Sequence, residues 1–414
     1  MRLLILMSQP LPRLRLNLDF LPSPDPGQPG LYIRDPFRYS DAMLLIPPPL
    51  VASLACFDGE QTDVDLRASL VRATGELQVG ELEAHLIDTL SEAGFLENDR
   101  FVAMRQERQQ EFAAAPKREA SHAGTAYPED APEVRRQLAE YMTGPNGRPS
   151  PEVPLLGIAA PHVSPFGGWE SYRAAYRLVS EDYRDRTFVV LGTSHYGEPD
   201  RFGLTRKPFI TPLGETSTAL DLAGELESKG GPAAKVEDYC HAVEHSIEFQ
   251  VLFLQYLFGS NIQILPVLCG SFAKSLYFGG KPEDSDDVKR FLGVLGDLGA
   301  REASRLFWVL GIDMAHMGVR YGDRVPAKAD QGEMLRVADR DRDRIDRINM
   351  GDAAGFWERV QQNHDDLKWC GSAPLYTFLK AVPEARGDLH LYQQWNIDEQ
   401  SVVSFAGLAF SRAA

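Results

Sequence analysis

The sequence predicts an α/β fold, a mostly parallel sheet covered by helices on both faces, preceded by a small α+β unit. Two observations carry this. From about residue 123 onward, the apolar runs LLGIAAPH, TFVVLGTSH, IQILPVLCG, RLFWVLGID and SVVSFAGLAF alternate with stretches of helical periodicity. Runs so continuous suit strands buried on both faces rather than strands with one wet face. Ahead of them the pattern differs, with short strand-like and helix-like segments punctuated by proline and glycine.

In the first part, the loop LPSPDPGQPG (21–30) opposes regular structure, and LYIRDPF and AMLLIPP read as short strands. PPLVASLACF and VDLRASLVRATG follow as helices, the second with Thr62 or Asp63 as its cap. ELEAHLIDTLSEAGF is a third helix, whose Leu82, Leu86, Leu90 and Phe95 form one buried stripe. FLENDRFVAM is expected to be a closing strand pair, and small helices plus a terminal β-wing make a winged-helix pattern. The charged, alanine-rich stretch MRQERQQEFAAAPKREAS reads as a solvated helix or linker. The expected organisation is therefore a winged-helix-like domain over 1–103, a linker over 104–122 and an α/β domain over 123–414.

Length supports more than one unit, since 414 residues exceed an average domain. A formal charge of -16 and a pI near 5.1 argue against nucleic acid and against an anionic membrane surface as partners. Small molecules, metals and proteins remain. The four cysteines contain no CxxC pair, which suggests neither a zinc knuckle nor a disulfide framework. The N-terminal apolar run Leu3 to Met7 is too short for a signal segment, and no run approaches a membrane span. A cytoplasmic, soluble protein is expected.

The chemistry collects where the strands should end. His162, His195 and His316 each follow an apolar run closely, and open α/β sheets place ligands at the carboxyl ends of their strands. PHVSP holds His162 between prolines that restrict the chain, and GTSHYG sets His195 among small residues that permit close approach. Neutral imidazole is the commonest metal ligand, so His162 and His195 from separate elements point to a divalent metal. Asp313, in GIDMAHMG with His316, could complete a two-histidine, one-carboxylate set, or could orient a ligand histidine by hydrogen bonding. His85, His122, His364 and His390 read as ordinary histidines, and Cys269 and Cys370 as small buried apolar residues.

HAVEH (241–245) spells H-x-x-E-H, a zinc-peptidase signature in which His241 and His245 would share one metal and Glu244 would be the base. That reading leaves His162 and His195 unexplained, and short matches are often accidental. In the preferred reading HAVEH starts a helix that continues through SIEFQVLFLQYL and turns His241 and His245 toward the cleft. His245, His241 and Glu244 are then the candidates for proton transfer and substrate binding. Glu244 and Glu248 would orient His245, or simply cap and solvate the helix.

PHVSP, VVLGTSH, TPLGE, EHSIEFQ, ILPV, GIDMAH, CGSAP and SVVSFAGLAF occur in the order seen in the Memo family, in the form called AmmeMemoRadiSam system protein B. The resemblance runs from about Ala123 to the C-terminus. It implies the fold of the class III extradiol dioxygenases with a non-haem metal, His162 and His195 as ligands, and His245 as acid or base beside it. It also implies association with a radical SAM partner. Two departures matter: VSPFGGW follows the first histidine in place of a glycine and tyrosines, and Ala315 stands where animal members carry a cysteine. The third ligand is thus open among Asp313, His316 and water. RDP, IPPPL and FDGEQT resemble, more loosely, the PqqD-like peptide-chaperone domains.

Three functions follow as expectations. The first is redox, dioxygenase-like chemistry at non-haem iron, or copper, on a small or peptide-linked substrate. The second is hydrolysis by a zinc-bound water at the same place. The third is a peptide- or anion-binding scaffold without turnover.

Overall fold

The computed structural model describes residues 9–23, 25, 27–144 and 153–413. The apolar run Leu3 to Met7 lies outside them, as do two residues of the loop 21–30. The chain divides into two compact units, Met1–Ala114 and Ala115–Ala414.

In the first unit, β1 (Asp19–Pro22), β2 (Leu31–Arg34) and β3 (Met43–Ile46) form an antiparallel sheet in that order. Helices Asp63–Thr74 and Gly80–Glu92 follow. Leu86, Leu90 and Phe95 are buried in the core of this unit and Leu82 packs partly buried against it, giving the expected stripe. The expected strand pair over FLENDRFVAM is not formed. Asn98 accepts a hydrogen bond from the amide of Phe101 (3.0 Å) and starts the helix Asp99–Ala114, which buries Phe101 and Phe112. A capping side chain followed by two phenylalanines on one helical face outweighs the β propensity of a few residues. Residues 104–114 of the expected linker finish this helix, whereas 115–122 belong to the second unit.

The second unit is built on a large mixed sheet. Its strands in chain order are β4 (Leu155–Ala160), β5 (Thr187–Thr193), β6 (Phe202–Leu204), β7 (Phe209–Thr211), β8 (Gly214–Thr218), β9 (Ala234–Val236), β10 (Gln263–Cys269), β11 (Leu306–Gly311), β12 (His316–Gly318), β13 (Ala385–Asp398) and β14 (Ser401–Arg412). The centre, β4-β11-β5-β10, is parallel. The C-terminal run SVVSFAGLAF is strand β14, which pairs antiparallel with both β4 and β13. A short turn joins β13 to β14, and a turn can only join antiparallel neighbours.

Alternation along β5 shows why the centre is apolar throughout. Phe188 and Val190 belong to one core with helices Ala131–Met142, Pro165–Tyr176 and Glu248–Phe258, while Val189 and Leu191 belong to another on the opposite face. That second core contains residues of helices Leu220–Lys229, Asp286–Arg301, Glu333–Asn349 and Ser372–Ala381. Side chains of a strand point alternately to the two faces, so covering both faces requires every position to be apolar. Among the described residues no helix is long and apolar enough to cross a membrane.

Candidate functional site

Three adjacent parallel strands deliver the site. Ala160 of β4, Gly311 of β11 and Gly192 of β5 stand side by side in register. Just beyond their carboxyl ends come His162, Asp313 and His195. The glycines are required here by close approach. A Cβ on Gly192 would lie 2.4 Å from Ser246 Oγ, and one on Gly311 would lie 2.1 Å from the Ser246 carbonyl oxygen. The turn around Ser246 therefore sits directly on the end of the sheet, where Ser246 Oγ donates to the Thr193 carbonyl (2.8 Å) and carries His245 beside the other two histidines.

Each of the three rings has one nitrogen occupied. His162 Nδ1 donates to the Gly311 carbonyl at 3.0 Å, which leaves Nε2 as the lone pair. His195 Nδ1 lies 3.0 and 3.1 Å from the two oxygens of Glu244, and His245 Nδ1 lies 3.2 Å from one of them. Glu244 also accepts the main-chain amides of His195 (2.9 Å), His245 (2.8 Å) and Ser246 (3.1 Å). The rings stand with centroids 5.0 Å (162 to 195), 5.2 Å (162 to 245) and 5.0 Å (195 to 245) apart. One ligating atom from each lies within 4.8 Å of the others.

A second donor group overlaps the first: His162, Asp313 and Cys370. Cys370 Sγ is 3.2 Å and Asp313 Oδ2 is 3.4 Å from His162 Nε2. Asp313 spends Oδ1 on the amides of His162 (2.9 Å) and Val163 (3.3 Å), so Oδ2 is the free oxygen. Cys370 is held by its own backbone, whose carbonyl accepts from Thr193 Oγ1 at 2.9 Å.

The electrostatics follow from burial and neighbours. Burial drives His162 well below the ordinary histidine range, assisted by His195 and His245, and pushes Asp313 above the usual carboxylate value. For His195 burial disfavours the charged form, but Glu244 and Cys370 outweigh it and raise the ring well above its ordinary value. Burial likewise opposes the Glu244 carboxylate, and His195 and His245 overcome it, holding it well below the usual range. Burial raises the Cys370 thiol, with His195 pulling the other way. Imidazole nitrogens, the Asp313 carboxylate and the Cys370 thiol are the donors a first-row divalent metal takes; its charge would displace the proton that Glu244 favours on His195 and would stabilise the buried Asp313 and Cys370 anions.

The structure brings His162, His195, His245, Glu244 and Asp313 together, but not His241. HAVEH does not start one continuous helix: the short helix Cys240–Val243 ends at Glu244, which is extended (φ -77°, ψ 138°), and the next helix is Glu248–Phe258. The break puts the two histidines on different sides. His241 is buried away from the cavity, its Nε2 bonded to the Gly203 carbonyl at 3.0 Å. Glu248 also lies outside the cavity, buried against Arg118. His316 lines the cavity but belongs to neither donor group, its Nδ1 being bonded to the carbonyls of Met314 (2.9 Å) and Lys368 (3.1 Å).

The cavity measures about 660 Å³, with Phe249, Tyr196, Tyr321, Trp395 and Ile397 among its walls and Arg320 and Lys368 also lining it. Two of its chemically active residues, Cys370 and His122, are not among the candidates that the sequence offers. Cys370 was read as a buried apolar residue; its place in CGSAP, just before a helix, was the available signal. His122 lines the cavity from a stretch read as linker, and burial lowers it to about 4, keeping the ring neutral.

Residues 118–409 match the family model described as Memo-like protein. A MEMO1 family protein of Aquifex aeolicus is 27% identical over 384 residues, covering 91% of this chain and 95% of that protein. The MEMO1 family protein TK1477 of Thermococcus kodakarensis is 29% identical over 302 residues, 70% of this chain and 98% of its own length. One from Methanosarcina acetivorans is 25% identical over 270 residues, 65% of this chain and 88% of its own length.

Proposed function

The chain belongs to the Memo-like family, and on that premise we propose that its second unit is a non-haem metal protein whose reaction is of the redox, dioxygenase-like kind. One observation carries the reading. His162 and His195, from two strand ends, each have Nδ1 held by an oxygen acceptor; His162 turns its free Nε2 to Cys370 and Asp313, and His195 and His245 each offer a ring nitrogen within 4.8 Å of it. An acceptor on the far nitrogen fixes both tautomer and ring direction, as metal sites commonly do.

In this reading His162 and His195 hold the metal, with Asp313 or Cys370 as the third ligand. Two imidazoles and a carboxylate favour iron(II), and copper is the next choice. The metal would supply redox chemistry and open coordination positions. His245, oriented by Glu244, moves a proton on the open side. Glu244 is the positioning residue for both His195 and His245. The radical SAM partner and the small or peptide-linked substrate belong to the same proposal.

Cys370 favours a second reading. Cysteine with histidines is a common zinc donor set, and a zinc-bound water would make the site hydrolytic. Metal content of protein purified without added metal, followed by oxygen uptake with catechol-like substrates, separates the two. Iron or copper together with oxygen uptake supports the first; zinc at full occupancy without oxygen uptake overturns it. Absence of any metal, with partner binding intact in His162 and His195 variants, would favour a scaffold.

A further inference from the structure

The first residues of the second unit are bound tightly to the turn that carries His245. The buried Arg118 guanidinium donates to the carbonyls of His241 (2.8 Å) and Glu244 (2.7 Å) and to Ser121 Oγ (3.0 Å), and pairs with Glu248. Glu248 in turn accepts the amides of Ser121 (3.0 Å) and His122 (3.0 Å) and the hydroxyl of Tyr127. This network fixes the backbone of His122 on both sides. Its ring meets His245 edge-on at 5.4 Å and Phe249 at 5.8 Å, and lines the cavity.

The tautomer of His122 follows from its partner. Nε2 lies 2.9 Å from the Val243 carbonyl, which can only accept, so Nε2 carries the proton. In the neutral ring Nδ1 is then an acceptor. Among the described residues no protein group bonds that nitrogen, and it is not a buried orphan either, unlike Nδ1 of His241. The site thus offers an unused, rigidly held acceptor next to His245.

We propose that His122 is a ligand-binding residue, its Nδ1 accepting the hydroxyl hydrogen of an aromatic hydroxyl compound that enters beside His245. The aromatic walls Phe249, Tyr196, Tyr321 and Trp395 select the ring, and His122 selects the hydroxyl. The inference rests on the metal reading above, because the metal is what holds the rest of such a ligand in the cavity.

The experiment uses the full chain loaded with iron(II) under anaerobic conditions and 4-nitrocatechol as the probe, followed by its absorbance. Two variants divide the roles of the ring. His122→Gln places an amide where Nε2 stood, keeping the bond to Val243 and removing the acceptor. His122→Asn places an amide oxygen near the position of Nδ1 and gives up the Val243 bond. The expected result is unchanged iron content in both, about tenfold weaker probe binding in His122→Gln, as for loss of one hydrogen bond of ordinary net strength, and recovery in His122→Asn. Equal probe binding in parent and both variants overturns the inference, and so does equal weakening in both, which would make the ring a prop for Val243. Iron loss in His122→Gln would assign the ring to the metal cage instead. A parent that takes up no iron sinks the metal reading and this inference with it, an outcome visible before any probe is added.

Discussion

Glu244 grips His195 twice, accepting its main-chain amide at 2.9 Å and its ring Nδ1 at 3.0 Å. The carboxylate is buried, and a neighbouring turn supplies it. The ring of His195 is thus aimed by a residue that is itself fixed by three amides.

Replacing that carboxylate disturbs the aim without touching a donor atom. Glu244→Gln is expected to weaken metal binding about 10- to 100-fold, the usual cost of losing the partner of a ligand histidine. Competition against a chromophoric chelator measures it. Affinity within a factor of two of the parent would show, against about tenfold expected, that the grip on His195 does not matter for the metal.

In the proposed metal site Cys370 and Asp313 are the two candidates for the third position, and cobalt(II) substitution tells them apart. If the thiolate ligates, Cys370→Ser abolishes a sulfur-to-cobalt charge-transfer band that Asp313→Asn retains. A parent without the band, whose cobalt affinity falls in Asp313→Asn and holds in Cys370→Ser, assigns the carboxylate. A band absent from the parent excludes the thiolate.

The buried His241 predicts a pH dependence of folding independent of the metal. Burial lowers its pKa from 6.5 to about 4, so below 6.5 the unfolded chain binds a proton that the folded chain refuses. Its contribution is complete above 6.5 and is lost as the pH falls toward 4, by up to about 3 kcal/mol. His241→Gln keeps a donor for Gly203 and cannot titrate. Urea unfolding of metal-free protein at pH 7 and pH 4.5 should show a smaller drop for the variant; an identical drop would rule His241 out as the source.

Arg118 is buried with Glu248, and removing one member of such a pair leaves a charge uncompensated. Arg118→Met is expected to cost about 3–5 kcal/mol, read from denaturant midpoints. A loss below about 1 kcal/mol, the size expected of an exposed pair, would show that the turn around Glu244 holds itself without this anchor.

Much of the fold is legible in the sequence because its strands must be apolar on both faces. β4, β5, β10 and β11 are recognisable from composition alone, and His162, His195 and Asp313 could be placed because they follow those strands directly. Only the start of the helix Asp99–Ala114 departs from the sequence expectation, because capping by Asn98 competes with a weak β pattern over FLENDRFVAM, while the helical alternative for 104–114 holds. HAVEH misled for a related reason. Its spelling has helical spacing, but Glu244 leaves the helical conformation, and its carboxylate collects the amides of the turn.

By itself, then, the sequence determined the α/β class, the strand ends and two of the histidines they carry, all consequences of local hydrophobic pattern. Only the tertiary structure decided that His245 joins them while His241 does not, that Cys370 stands against His162, and that His122 reaches the cavity from a supposed linker. Such partners are distant in the chain, Cys370 lying 57 positions from Asp313 and 208 from His162, and their meeting depends on the register of β4, β11 and β5 and on Gly192 and Gly311 yielding space to a turn. Periodicity reports which face of an element is buried; it carries no information about which distant backbone will be packed against that face.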